Sequence, residues 1–128
     1  MKLHEEVTQA FCAPGCMAIT TNVTGFSELV QFGAWRIGCV LYHERISSLY
    51  PVKKMERHLE TDEAFILAGG NATLFLGEDL HAVQMQPGIV YNVKKGMWHA
   101  ITVDEAAQVF VIENEGTGPE NTQYHYFE

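Results

Sequence analysis

The chain has 128 residues, of which 16 are acidic and 8 are basic, so its formal net charge is −8. Nucleic acids and anionic membranes both attract positively charged surfaces, and this acidic balance therefore argues against either as the main partner. With 47% hydrophobic residues, the chain is long enough to form one domain with its own core.

Neither the first residues of the chain nor its cysteines indicate an exported protein. The opening MKLHEEVTQAF is charged and amphipathic, unlike a signal peptide, and no apolar run approaches the roughly 20 residues of a membrane helix. The three cysteines, Cys12, Cys16 and Cys39, are an odd number, which favours reduced thiols. The CAPGC pair lacks the second pair that a structural zinc site usually has. We therefore expect a cytoplasmic protein.

The first 34 residues are predicted to form a segment distinct from the rest of the chain. Residues 3–11 suit a short helix, and the following MAITTNV predicts a strand. Residues 28–32 fit either one helical turn or a loop, with glycines on both sides. We expect this α/loop segment, residues 1–34, to pack on the domain that follows.

From Trp35 onward the pattern is nearly all β. WRIGCVLYHE is rich in β-branched and aromatic residues, and later come ATLFLG, HAVQMQ, GIVYNV, WHAITV and AQVFVIE, separated by turn residues. Short strands spaced by about 8–12 residues predict a sandwich or barrel. Residues 35–128 are thus predicted to be an all-β domain whose C-terminal tail docks its aromatic residues on the body.

Ionisable side chains fall at three places where strand alternation aligns them with apolar neighbours. His99 in MWHAITV and Glu63 in EAFILAG each share a strand face with apolar residues. Glu56 and His58 share one face of KMERHL, and Arg57 takes the other. Three strands are therefore predicted to direct these groups toward one interior, where an unpaired carboxylate would cost several kcal/mol.

Two histidines with one or two carboxylates suit one divalent ion, since imidazole nitrogens and carboxylate oxygens bind Zn, Mn, Fe or Ni. Spacing alone leaves three alternatives open. His99 could be a hydrogen-bonded core histidine, Glu56 and His58 could form a solvated outer face, and Glu63 could end its strand in water.

The spacing of these residues is similar to two motifs of a known family. The sequence resembles the cupin superfamily, whose motifs are G(x)5HxH(x)3,4E(x)6G and G(x)5PxG(x)2H(x)3N, over residues 35–113. In the first motif, Glu56 takes the place of the first histidine and His58 that of the second, followed by Glu63 and Gly70. Tyr50 replaces the leading glycine.

The second motif matches in spacing with Gly88, Gly96 and His99. Lys94 stands where the motif has proline, and Val103 where it has asparagine. The resemblance implies a double-stranded β-helix, also called a jelly-roll barrel, with a pocket that receives the motif side chains. It also implies a homodimer.

Within the superfamily, the sequence resembles that of ureidoglycolate lyases. The similar segments are ERHLETDEAF, VYNVKKGMWHAI and the terminal ENTQYHYF. Glu63 departs from that family's glutamine and restores the general cupin metal carboxylate. The Trp-His pair also lacks the histidine and proline that commonly follow it. These departures leave the substrate open.

The resemblance implies an acid–base or metal-assisted enzyme that acts on a small polar or carboxylated metabolite. In a lyase of this type His58 or His99 would be the base, Glu63 its partner or the acid, and Arg57 the carboxylate anchor. The predicted substrate-binding residues are Arg57, Tyr91 and Trp98. The predicted metal ligands are Glu56, His58, Glu63 and His99. The alternatives are a non-catalytic small-molecule binder or sensor, and a metal-dependent isomerase or oxygenase.

Overall fold

The structure is a computed structural model that describes residues 4–127 and consists almost entirely of antiparallel strands. The strands are β1 (Val7–Ala13), β2 (Cys16–Thr21), β3 (Gly25–Phe32), β4 (Trp35–Leu41), β5 (Lys54–His58), β6 (Glu63–Gly69), β7 (Ala72–Leu76), β8 (His81–Gln84), β9 (Val90–Val93), β10 (His99–Val103), β11 (Gln108–Asn114) and β12 (Thr122–Tyr126). Two short 3₁₀ turns cover Glu44–Ile46 and Pro119–Asn121.

Ten of the strands form two five-stranded sheets. The first sheet has the order β12-β5-β10-β7-β8, and the second has the order β3-β4-β11-β6-β9. The chain crosses repeatedly between the sheets, so strands that are neighbours in sequence often lie in different sheets. This confirms the all-β prediction. No helix within residues 4–127 is long and apolar enough to cross a membrane.

The predicted α/loop character of the N-terminal segment is wrong over the described residues. β1 and β2 form an antiparallel hairpin, with Val7 opposite Thr21 and Phe11 opposite Met17. β-Branched and aromatic residues in both segments suit a strand, and each supplies the other's backbone hydrogen bonds. The first residue of the predicted helix, residue 3, lies outside the described residues.

Residues 28–32 form neither a helical turn nor a loop. They belong to β3, which pairs along its length with β4 and therefore lies in the second sheet. The register shifts between Glu28 and Val30, and such a bulge disturbs the regular alternation of side chains. β3 is thus a sheet strand within the segment 1–34.

The hydrophobic core lies between the two sheets. Its buried members come from strands of both, and Leu74, Val103, Val109 and Val111 are almost entirely inaccessible. Complete burial of such side chains stabilises the fold by about 1.5–3 kcal/mol each. This packing fixes the relative position of the sheets and so of the polar groups that they carry.

Two motif glycines are required by the backbone. Gly70 has φ +66°, and a Cβ on it would lie 2.4 Å from the carbonyl carbon of Ala106. Gly96 has φ +80° in the turn that leads into β10. Positive φ strains other residues, so glycine at these positions sets the turns on which the motif strands depend.

Candidate metal centre

The four predicted metal ligands converge at one end of the space between the sheets. Glu56 and His58 lie on β5, and His99 begins the neighbouring strand β10 directly opposite Glu56. Glu63 begins β6 in the other sheet. One ligand atom from each residue lies within 4.8 Å of all the others. The two sheets therefore contribute to a single cluster, which could hold a metal ion.

Glu63 is the centre of this cluster. Its Oε1 atom lies 3.0 Å from His99 Nε2 and 3.3 Å from His58 Nε2. Glu56 Oε1 is further out, at 3.8 Å from His58 Nε2 and 4.0 Å from His99 Nε2. His58, Glu63 and His99 are buried, whereas the Glu56 side chain is 34% exposed at the mouth of the site. The alternatives of a solvated face and a solvated strand end are therefore wrong for His58 and Glu63.

Hydrogen bonds fix the proton of His58 on the ring nitrogen that faces away from the cluster. Thr122 Oγ1 donates its proton to the Gly118 carbonyl at 2.8 Å, so it accepts the 2.9 Å hydrogen bond from His58 Nδ1. Since Nδ1 carries the proton in the neutral ring, the lone pair lies on Nε2. The Nε2 lone pair of His58 therefore faces the cluster and is available to bind a metal ion.

His99 is held in the same way. Its Nδ1 lies 3.0 Å from the Met97 carbonyl oxygen, which can only accept, so Nδ1 is the hydrogen-bond donor. Its Nε2 then faces the Glu63 carboxylate. Metal-bound histidines in proteins usually donate their other ring N–H to an oxygen in this manner.

The donor set fits a divalent cation. His58 Nε2 is buried and has no hydrogen-bond partner in the described part of the chain, although Glu63 Oε1 is 3.3 Å away. Buried polar atoms are rarely left unpaired, and two lone pairs next to two carboxylates call for positive charge. Two imidazole nitrogens and two carboxylate oxygens suit Zn, Mn, Fe or Ni.

The pKa shifts show the same demand for positive charge. Burial alone would raise the pKa of Glu63, but its close contacts with the His58 and His99 rings outweigh burial and hold that pKa well below its usual range. Burial alone would lower the pKa of His58, but the carboxylates of Glu63, Glu56 and Glu113 raise it above its ordinary value. Without a metal ion, protons supply the charge.

Glu113 and Arg36 border the cluster and were not predicted as site residues. Glu113 lies opposite Glu63 in the sheet and accepts a 2.9 Å hydrogen bond from Arg36 Nε. Burial and the neighbouring Glu63 carboxylate raise the pKa of Glu113 to about 7. The sequence signal was available, since Glu113 continues the inward phase of Val109 and Val111 just as Glu63 is in phase with Phe65.

A cavity of about 220 Å³ lies between strands next to those of the cluster, and none of the four cluster residues lines it. Two of its lining residues are direct strand neighbours of cluster residues, Leu76 beside His99 and Val93 beside Glu63. Tyr91 also lines the cavity, while its hydroxyl accepts a hydrogen bond from the Gln86 backbone N–H. Lys94 lies at the same cavity. Of the predicted substrate-binding residues, Tyr91 is therefore beside the cluster.

Arg57 and Trp98 are not brought together with the cluster. The Arg57 guanidinium carbon lies 4.6 Å from the centroid of the Trp98 ring, and Arg57 Nε donates to Gln123 Oε1 at 2.8 Å. Arg57 alternates with Glu56 and His58 on β5, so its side chain leaves the opposite face of the strand. These two residues form a cation–π pair outside the cavity.

No protein-family model matches this sequence, and the comparison with curated proteins finds no match. Solved structures do resemble it. A cupin-2 domain containing protein from Shewanella frigidimarina is 18% identical, with a TM-score of 0.57 over 73% of this chain and 84% of that chain. The chain has the cupin fold.

Two other cupin-fold structures cover more of the chain. A nucleoside dehydratase from Streptomyces, of which a variant was solved with uridine, is 10% identical with a TM-score of 0.61 over 99% of this chain and 93% of that chain. A putative ethanolamine utilization protein Q from Salmonella typhimurium is 12% identical with a TM-score of 0.62 over 89% and 98%. Glu56, His58 and Glu63 belong to the segment that resembles the first cupin motif, and His99 belongs to the segment that resembles the second.

Proposed function

We propose that this cupin binds one divalent metal ion through Glu56, His58, Glu63 and His99, and acts on a small carboxylated metabolite in the adjoining cavity. The observation that carries the proposal is the pair of buried Nε2 lone pairs, each fixed by a hydrogen bond at Nδ1, facing two carboxylates. His58 Nε2 has no hydrogen-bond partner in the described part of the chain, and a metal ion bound there would satisfy it.

The size of the cavity supports a small substrate. Sites for drug-sized ligands occupy about 300–1,000 Å³, and the cavity here is about 220 Å³. Its walls are largely apolar, and they include Lys94, an exposed lysine whose ammonium also lies 3.7 Å from Asp62 Oδ2. Since Arg57 is engaged with Trp98, Lys94 is the better candidate for an anchor of a substrate carboxylate.

We propose the reaction class of ureidoglycolate lyase, on the strength of the sequence resemblance and this small, partly cationic cavity. In that reaction the hydroxyl proton of the carbinolamide is removed, the C–N bond breaks, and the leaving nitrogen takes up a proton. Urea and glyoxylate result. When bound, the metal ion would polarise a substrate oxygen as a Lewis acid.

The ring nitrogens of His58 and His99 are all committed in this arrangement. Their Nδ1 atoms donate to Thr122 and to the Met97 carbonyl, and their Nε2 atoms belong to the donor set. Neither ring can then accept the substrate proton. Glu56 is the most exposed of the four, and it would bind the ion through one carboxylate oxygen, so its other oxygen is left to carry a proton from the hydroxyl to the leaving nitrogen.

The test is release of glyoxylate from ureidoglycolate by protein that has been stripped with a chelator and reloaded separately with Zn²⁺, Mn²⁺, Fe²⁺ or Ni²⁺. We expect turnover with at least one ion and none in chelator, with Lys94→Met raising KM more than it lowers kcat. Lys53→Met, which changes an exposed lysine that does not line the cavity, is the matched control. Absence of turnover with every ion would refute the lyase assignment, and substrate binding without turnover would indicate a non-catalytic binder.

We also propose that the protein is a cytoplasmic homodimer. Met55 on β5 does not contribute to an exposed apolar face, because it is only 2% exposed in a single chain. Exposed apolar side chains elsewhere do support the dimer, including Phe11, Phe32 and Trp35. Light scattering of the purified protein should give twice the chain mass, and the mass of one chain would contradict the dimer.

A further inference from the structure

Two cysteines form a close pair outside the barrel. Cys12 and Cys16 lie on the β1–β2 hairpin, which is a two-stranded sheet of its own. Their Sγ atoms are 2.8 Å apart, and both side chains are exposed to solvent. The third cysteine, Cys39, is fully buried in β4. The chain therefore combines one accessible thiol pair with one protected thiol.

The local backbone brings the two thiols together. Ala13 pairs with Cys16 across a two-residue turn, Pro14 and Gly15, in which Gly15 has φ +78°. Proline followed by a residue with positive φ is typical of a tight turn. The strand register shifts between Phe11 and Ala13, so Cys12 lies at a bulge beside Cys16. The turn and the bulge together pre-form the pair.

The arrangement does not suit a zinc ion. Structural zinc sites have four protein ligands. Within residues 4–127, the one group of three or more potential ligands is the cluster at Glu56, so the thiol pair has no third side-chain ligand. The two sulfur atoms are instead close enough to react with each other and form a disulfide bond. A movement of about 0.8 Å would bring them to the roughly 2.05 Å of a disulfide bond.

We propose that Cys12 and Cys16 are a reversible dithiol–disulfide site that reacts with low-molecular-weight disulfides. One cysteine thiolate attacks the small disulfide, forms a mixed disulfide and releases the first small thiolate. The thiolate of the second cysteine then attacks the Sγ atom of the first cysteine in the mixed disulfide, forms the Cys12–Cys16 bond and releases the second small thiolate. The two cysteine protons pass to the two released thiolates, so the cysteines lose two electrons and the small disulfide gains them.

This site is independent of the proposed metal function. The new bond would join residues that a tight turn already holds together, so it should leave the barrel and the cluster unchanged. Zinc or nickel binding is therefore expected to be equal in the oxidised and reduced protein. Failure of the metal proposal would not affect the thiol proposal, and the converse is also true.

The experiment is differential alkylation of the full-length protein after incubation in a series of ratios of reduced to oxidised glutathione. Free thiols are blocked with N-ethylmaleimide, and the protein is digested with trypsin without reduction. No lysine or arginine occurs between Lys2 and Arg36, so Cys12 and Cys16 fall in one peptide, 3–36, and Cys39 in the next. A disulfide oxidant is used rather than peroxide because Met17, which is also exposed, would be oxidised by peroxide.

We expect peptide 3–36 to lose the mass of two hydrogen atoms, to escape alkylation and to regain both thiols with dithiothreitol. The single variants Cys12→Ser and Cys16→Ser should instead carry one glutathione, and they should need about tenfold more oxidised glutathione to be modified, because they lack an internal partner. Three outcomes would overturn the proposal. They are two glutathiones on peptide 3–36, covalent dimers of the protein, and unmodified wild-type thiols at glutathione ratios that modify both single variants. Cys39 should be labelled only after unfolding.

Discussion

The Nδ1 atom of His58 donates a 2.9 Å hydrogen bond to the hydroxyl of Thr122, and that hydroxyl donates its own proton to the Gly118 carbonyl. These hydrogen bonds run from His58 in the cluster, through Thr122 at the start of β12, to the carbonyl of Gly118. They determine which nitrogen of His58 is free. The C-terminal strand therefore orients a residue of the first cupin motif.

Thr122→Val should weaken metal binding without unfolding the protein. The change removes the acceptor for His58 Nδ1 while keeping the shape of the side chain, and loss of such an orienting partner typically costs 10–100-fold in metal affinity. Calorimetric titration with Zn²⁺ measures the effect. Thr122→Ser should restore binding, and Thr73→Val, at an exposed hydroxyl bonded to Gln84, is the control. Equal affinities for wild type and Thr122→Val would contradict the orienting role.

Glu63→Gln should weaken metal binding more than Thr122→Val does. The amide keeps the size of the carboxylate but removes the charge that lies 3.0 Å and 3.3 Å from the two Nε2 atoms. It also creates the glutamine found at this place in ureidoglycolate lyases. The measurement is the same titration, with the exposed Glu115→Gln as the matched control. Unchanged affinity would show that Glu63 is not a ligand.

The stability of the metal-free protein should fall as the pH rises through neutrality. The pKa of His58 is raised in the folded state, so its stabilising contribution is fully present below its unfolded value of about 6.5 and is lost as the pH rises through the folded pKa. Glu113 acts in the same direction, because its pKa is raised to about 7. Urea unfolding in the presence of chelator at a series of pH values measures this slope.

Saturating metal should reverse that slope. A metal ion requires His58 Nε2 without its proton, so metal-bound protein gains stability as the pH rises. His58→Gln should flatten the slope in chelator and remove the reversal, while His125→Gln, at a histidine that contacts Trp98 outside the cavity, should change neither. The same slope with and without metal would contradict the assignment of His58 as a ligand.

Arg36→Met should destabilise the fold by about 1–3 kcal/mol, because it leaves the buried Glu113 without its charged partner. Arg36 also donates to the Thr117 carbonyl at 2.6 Å, so two acceptors lose their donor. Denaturant unfolding of Arg36→Met, Glu113→Gln and the double variant measures the coupling. The double variant should be less destabilised than the sum of the single ones. Strict additivity would mean that the pair does not contribute as a pair.

Strand alternation indicated which ionisable side chains face the interior, but it left three alternatives open, and only the resemblance to the cupin motifs selected the four residues as one cluster. Glu56, His58, Glu63 and His99 each share a strand face with the interior, and the order of the motifs along the chain matched the cupin pattern. Alternation also predicts that Arg57 leaves the opposite face of β5, and the expectation that it binds substrate came from the resemblance alone.

The N-terminal segment and the outer part of the site could not be predicted with the same ease. Residues 3–11 suit a short helix in isolation, whereas the hydrogen bonds that make residues 7–13 a strand come from the partner strand β2. The role of Thr122 depends on β12 pairing with β5, a contact between segments 64 residues apart that no local pattern indicates. Glu113 was in phase with buried valines and could have been found.

The most direct test of the account is metal quantification on protein purified without chelator and then saturated with Zn²⁺ or Ni²⁺, for wild type, His58→Ala and His99→Ala, with His125→Ala as the control. The account predicts one ion per chain in the wild type and the control, and loss of the ion in both other variants with the fold retained. Retention of the ion by both His58→Ala and His99→Ala, or no ion in the wild type, would contradict it.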